Sequence, residues 1–265
     1  MLRSIVQKLR ASTELAQRAV TKSDRADAAD LQRIEAKLDE LIREVHAQGW
    51  PTIQRRISMI EGEKTARYAL EHMWPHAHPY GSRDAIWNAA LESVTLDGFH
   101  LEFGVFKGTS IRYFAEHRPK WHLHGFDSFE GLPEKWSPKH EKGHFAVPKL
   151  PKVPRNVTLH KGFFDSSLPE FVRSYMKPSD AVAFLHIDSD LYSSAKTIFE
   201  NLGRFFRPGT VILFDEYFGY KGWERDVVKA FREYRESTGL KYEYLGFQDN
   251  WTRVLARVTD PGTPA

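Results

Sequence analysis

From Gly98 onward, short apolar runs alternate with amphipathic ones, and most of the apolar runs end in acid. "FHLEFGV", "WHLHGFDS", "VTLHKGFF", "AVAFLHIDSD" and "TVILFDEY" read as strands, with helix-like stretches such as "TSIRYFAEHR", "SLPEFVRSYM" and "SSAKTIFENLGRFF" between them. Such alternation predicts an α/β fold, a parallel sheet with helices on both faces. In an open sheet of that kind, ligands bind beyond the carboxyl ends of the strands. The first predicted strand ends at Glu102, the second at Asp127, the fourth at Asp188 and the fifth at Asp215–Glu216. Four strands thus deliver carboxylates to one edge, and that edge describes a site. "KYEYLGFQDNWTRVLARV" reads as two closing strands.

The rest of the chain divides around this core. Residues 28–47 carry Leu31, Ile34, Leu38, Leu41 and Val45 at alternating spacings of three and four, a coiled-coil seam expected to support self-association. The predicted organisation is a helical extension over 1–48, a helical cap region over 49–97, the main domain over 98–258 and a disordered tail over 259–265. Ser82 is placed to cap the helix "RDAIWNAALESV", with Asp84 in its first turn. The start, "MLRSIVQKLRAS", is amphipathic and basic; peripheral contact with an anionic membrane surface is one expectation for it, packing on protein the other.

Composition narrows the chemistry. With 38 basic residues against 35 acidic ones, there is no electrostatic case for a nucleic-acid partner. The absence of cysteine removes disulfides, thiolate catalysis and cysteine-bound metals, and a cytoplasmic location is expected. No apolar run approaches the roughly 20 residues that span a bilayer.

The turn after the first strand, "EFGVFKGTS", contains Gly104 and Gly108 but has Phe106 where a dinucleotide fingerprint needs glycine. Lys107 precedes the second glycine, so it is not a phosphate-binding loop either. An acid beside a glycine turn suits a cationic ligand. Asp127, at the end of the next strand, stands where an acid takes both hydroxyls of a ribose. A ribose joined to a positive group points to S-adenosylmethionine.

"LEFGVFKGTS", "HGFDSFEGLP", "KGFFDSSLP", "FLHIDSDLYSS" and "PGTVILFDEY", in that order, resemble the macrocin O-methyltransferase (TylF-like) family of class I S-adenosylmethionine-dependent methyltransferases, over residues 80–258. The resemblance implies a Rossmann-like seven-stranded fold, behind the N-terminal helical, coiled-coil-like extension, and methyl transfer to a hydroxyl, typically a sugar's, with Mg²⁺. By position it assigns Glu102, Gly104, Gly108, Asp127, Ser128 and Phe129 to the cofactor, and Asp188, Asp215 and Glu216 to the metal. Phe164 and Asp165 fall in the third-strand motif, which departs from the family pattern because Ser166 occupies its aspartate's place. Glu216 likewise replaces the more usual second aspartate.

Hard carboxylate oxygens at 188, 215 and 216 suit Mg²⁺, which would acidify and aim a bound hydroxyl. Asp188 or His186 is then the proton acceptor, Asp188 preferred because His186 lies deeper in the strand. Asp190 reads as a cap for the following helix. Tyr192, Tyr217 and Trp223 are expected to wall the acceptor pocket. Three rivals stay open: a metal-dependent glycosyltransferase using Asp188-Ser189-Asp190, a catechol-type O-methyltransferase, and a non-catalytic scaffold on the same fold.

Overall fold

The computed structural model describes residues 33, 35–40, 53–74, 76–250 and 252–263. The basic start and most of the 28–47 seam lie outside the described residues. Within the seam, residues 35–40 are helical, with Leu38 exposed. The chain forms two units, Met1–Met59 and Ile60–Ala265, and the second contains the whole sheet. No described helix is long and apolar enough to cross a membrane.

The strands are β1 (His78–Tyr80), β2 (Phe99–Phe103), β3 (Leu123–Asp127), β4 (Val157–Lys161), β5 (Val182–Ile187), β6 (Val211–Phe214), β7 (Lys241–Gln248) and β8 (Val254–Asp260). The helices are α1 (Ile53–His72), α2 (Arg83–Ser93), α3 (Thr109–His117), α4 (Phe164–Tyr175), α5 (Tyr192–Leu202) and α6 (Val227–Thr238). Among the described residues the eight strands form one sheet, ordered β1-β7-β8-β6-β5-β2-β3-β4. β8 runs antiparallel to both its neighbours, and every other pairing is parallel.

Apolar patterning explains the order. β5, "VAFLHI", is buried along its whole length and sits between β2 and β6, as a run apolar on both faces must. One core layer gathers Phe103, Phe126, Leu185, Phe214 and Phe231, and the opposite layer Ile86, Ile111, Phe114, Phe184 and Leu213. Ser82 caps α2 as expected, its side chain accepting the Ala85 N–H at 3.2 Å.

Residues 78–80, within the expected helical cap region, pair in parallel with 246–248 and add an eighth strand to the sheet. From Ile60 onward, the residues of the expected helical cap region belong to the same compact unit as the main domain. β8 reaches Asp260, into the expected tail, and the Thr263 N–H donates to the Thr238 carbonyl at 2.8 Å.

Candidate active site

Parallel pairing brings the carboxyl ends of β2, β3, β5 and β6 to one edge, around a cavity of about 640 Å³. The turn after β2 forms its floor. Gly104 has φ +93°, and a Cβ there would lie 1.7 Å from the Asp188 carbonyl oxygen, so only glycine fits. The Gly104 N–H donates to Phe126 and the Asp188 N–H to Phe103, knitting the turn to the ends of β3 and β5. Gly108, at φ +76°, starts α3 without lining the cavity.

Asp127 braces this turn. One carboxylate oxygen accepts the N–H groups of Val105 and Phe106 at 2.9 and 2.7 Å, and the other accepts Phe129 N–H at 2.6 Å. A carboxylate offers about four acceptor positions. With three engaged, Asp127 has room for one ribose hydroxyl rather than the two expected. Ser128 donates to the Gly131 carbonyl and accepts the Glu130 N–H, shaping the following turn. Phe129 is a correction: its ring is buried in the core at φ +56° and does not line the cavity. Phe164 and Asp165 both line it, whereas Ser166 turns back to the Phe163 carbonyl.

Glu102 is also corrected. It is fully buried, accepts the Ser110 hydroxyl at 3.0 Å and meets His186 Nδ1 at 3.0 Å, its neighbour across the β2–β5 ladder. It therefore does not face the cofactor cavity. On its other side, His186 Nε2 lies 3.7 Å from Asp215. Burial alone would lower the imidazole's pKa, but Asp215 and Glu102 outweigh it and raise it to about 10. His186 is fully buried and does not line the cavity, which places it behind the acids rather than against an acceptor. Its place between two carboxylates is structural.

Asp188, Asp190, Asp215 and Glu216 all line the cavity. Asp215 grips Arg253, which donates to both of its oxygens, one at 2.9 Å. Burial would raise the Asp215 pKa, but His186 and Arg253 pull it below the ordinary range. Asp215, expected as a metal ligand, stays ionised and pairs with Arg253, and its carboxylate also lies within 4.8 Å of ligand atoms of Asp188 and His186. Carboxylate oxygens of Asp188, Asp190 and Glu216 converge within 4.8 Å of one another. Burial, then repulsion from Asp215 and Asp190, pushes Asp188 well up; burial, then repulsion from Asp188 and Asp215, does the same to Glu216; and Asp190 rises to about 7 by burial and by Asp215 and Asp226. Glu216 Oε2 and Ser189 Oγ are buried without a hydrogen-bond partner in the same place. Crowded hard oxygens and buried orphan acceptors fit a divalent cation held by Asp188, Asp190 and Glu216. Asp190, expected as a helix cap, makes no cap hydrogen bond: α5 follows Leu191, and Asp190 sits at φ +59°.

The three aromatic residues expected at the acceptor wall lie elsewhere. Tyr192 donates to Glu233 at 2.6 Å, against α6. Tyr217 is buried, bonded to Tyr68 at 3.0 Å and to Tyr244. Trp223 is 3% exposed and packs edge-on against Tyr68 at 5.2 Å. Glu216 faces the cavity and Tyr217, the next residue, faces the core. The aromatics that do line the cavity are Phe106, Trp136, Phe145, Phe163 and Phe164. Trp136 and Phe145 come from the long β3–β4 connection, Trp136 at the end of "FEGLPEKW".

Residues 101–217 match a family model described as a methyltransferase domain. No curated protein sequence matches the chain. The structure of CalS11, a calicheamicin methyltransferase, superposes with TM-score 0.54 at 19% identity, covering 76% of this chain and 91% of that one. The O-methyltransferase NovP superposes with TM-score 0.52 at 20% identity, covering 67% and 79%. At those identities the likeness establishes the fold, in agreement with the strand order. With the glycine turn and the strand-end acids lining one cavity, the chain carries a methyltransferase domain over residues 101–217 and is an S-adenosylmethionine-dependent methyltransferase.

Proposed function

We propose that the protein is an O-methyltransferase, Mg²⁺-assisted, whose acceptor is a hydroxyl of a sugar. The observation that carries this reading is the convergence of Asp188, Asp190 and Glu216 on the cavity that also holds the glycine turn. The likeness of five motifs to the macrocin O-methyltransferase family supports it, as does the O-methyltransferase NovP among the structural neighbours. The glycosyltransferase rival is weaker, because Asp188-Ser189-Asp190 opens onto the same cavity as Gly104.

In this reading Asp127, Asp165 and Phe164 seat the adenosine half, while Phe145 stands over Phe106 at 5.5 Å and covers the turn. Asp188, Asp190 and Glu216 hold the cation, which supplies Lewis acidity that makes a sugar hydroxyl more acidic. The hydroxyl oxygen attacks the methyl carbon in line, the carbon–sulfur bond breaks, and S-adenosylhomocysteine leaves. Asp188, whose ionised form the bound cation would favour, takes the hydroxyl proton; Asp215, paired with Arg253, keeps its charge and sets the field behind it. Most of the acceleration is orientation of two bound reactants.

The test is transfer of tritiated methyl from S-adenosylmethionine to a panel of glycosides. Asp188→Asn is expected to lower turnover about 10²- to 10⁴-fold, the usual range for a lost general base. Full activity in that variant, or in the presence of a chelator, contradicts the role given to Asp188 or to the cation.

A further inference from the structure

A second cavity, of about 1050 Å³, opens beside the first and shares two lining residues with it, Trp136 and Glu216. Its volume stands at the upper end of small-molecule sites, roughly 300–1,000 Å³, and exceeds what one sugar ring needs. Leu70 and Trp74 wall one side, and Phe218, Tyr220 and Phe247 another. Trp74 is 54% exposed, an indole facing solvent at the rim.

Charge is as informative as shape. None of the described lining residues is lysine, arginine or histidine, and the two charged ones, Glu216 and Asp249, are acidic. A diphosphate bound in the body of this cavity would meet no basic side chain among the described lining residues and would face the Asp249 carboxylate. Trp136, which separates the two cavities, is held by its indole N–H on Asp226 at 3.3 Å and edge-on by Tyr220 at 5.7 Å. A ligand filling the second cavity therefore reaches the acid cluster at Glu216, past a fixed aromatic partition.

We infer that this cavity is the acceptor site and that it takes an uncharged glycoside with an apolar aglycone, not a sugar nucleotide. The inference rests on the methyltransferase reading for the chemistry at Glu216. The aglycone lies against Trp74, Phe218 and Phe247, and the sugar points toward Glu216. Neutral apolar bodies bind there and nucleoside diphosphates do not.

The test uses the full chain and N-phenyl-1-naphthylamine, a neutral apolar fluorophore. Saturable binding is expected that S-adenosylhomocysteine and thymidine diphosphate do not displace. Ala66→Trp, on the exposed cavity-facing side of α1, is expected to weaken it about tenfold at an unchanged thermal midpoint, and Trp74→Ala to weaken it as well. Absence of saturable binding, displacement by S-adenosylhomocysteine or thymidine diphosphate, or unchanged affinity in Ala66→Trp overturns the inference. S-adenosylhomocysteine is titrated into the same protein: its failure to bind overturns the methyltransferase reading alone, and the probe's failure overturns only the acceptor assignment.

Discussion

A single methyl group on Gly104 would stand 1.7 Å from the carbonyl oxygen of Asp188, so the cofactor turn and the acid-bearing strand meet without room for any side chain. Gly104→Ala must push β5's end away from the turn and strain φ at +93°. Loss of S-adenosylhomocysteine binding by at least about tenfold is expected, measured by calorimetry. Wild-type affinity would show that the two segments move independently.

Glu102 and His186 form the buried pair behind that junction, 3.0 Å apart with no exposed atoms between them. Removing one partner of such a pair costs about 3–5 kcal/mol. Glu102→Ala is therefore expected to lower the thermal midpoint by on the order of 10 °C, and Glu102→Gln by less. A midpoint within about 2 °C of wild type contradicts the structural role given to Glu102.

On the proposed function, the acid cluster should make the protein's stability respond to cations. Asp188, Asp190 and Glu216 repel one another in a buried place, and a bound Mg²⁺ relieves that repulsion. At about 100-fold over its dissociation constant, Mg²⁺ stabilises by about 2.7 kcal/mol. Thermal midpoints with Mg²⁺ and with chelator should therefore differ by several degrees, and Asp190→Asn should shrink the difference. An identical shift in Asp190→Asn would remove that residue from the ligand set.

How much of this was legible beforehand depended on periodicity. Helix–strand alternation exposes the sheet and the strand-end acids, because both are local patterns. The direction of side chains just past a strand is not local, and there the sequence misleads: Glu216 and Tyr217 are adjacent, yet one faces the cavity and the other the core. Glu102 reads as a cofactor ligand until its cross-strand neighbour His186 is known. Arg253 stands 38 positions from Asp215, and no spacing rule joins them. β1 leaves no mark in the sequence, because three residues containing a proline carry no strand period.

His124 gives a dependence on pH away from the site. Burial, reinforced by His160, His122 and His100, lowers its pKa to about 3, and His160 lies 3.0 Å from it. Unfolded, the same ring binds a proton near 6.5, so between those values the unfolded state holds the extra proton. Stability from this group is complete above about pH 6.5 and falls as the pH drops toward 3. His100, lowered to about 4 by burial, adds a parallel effect. The urea midpoint of His124→Gln should fall less steeply than the wild type's between pH 6.5 and 5. Parallel curves would mean His124 is protonated in the fold.

The central claim is that the cavity between the glycine turn and the acid cluster binds S-adenosylmethionine. Calorimetric titration of the full chain with S-adenosylhomocysteine tests it, comparing wild type with Asp127→Ala, which removes the carboxylate that braces Val105 and Phe106. The expected result is one site per chain with micromolar affinity, weakened at least about tenfold in the variant. A folded wild-type chain that takes up no ligand would contradict the account.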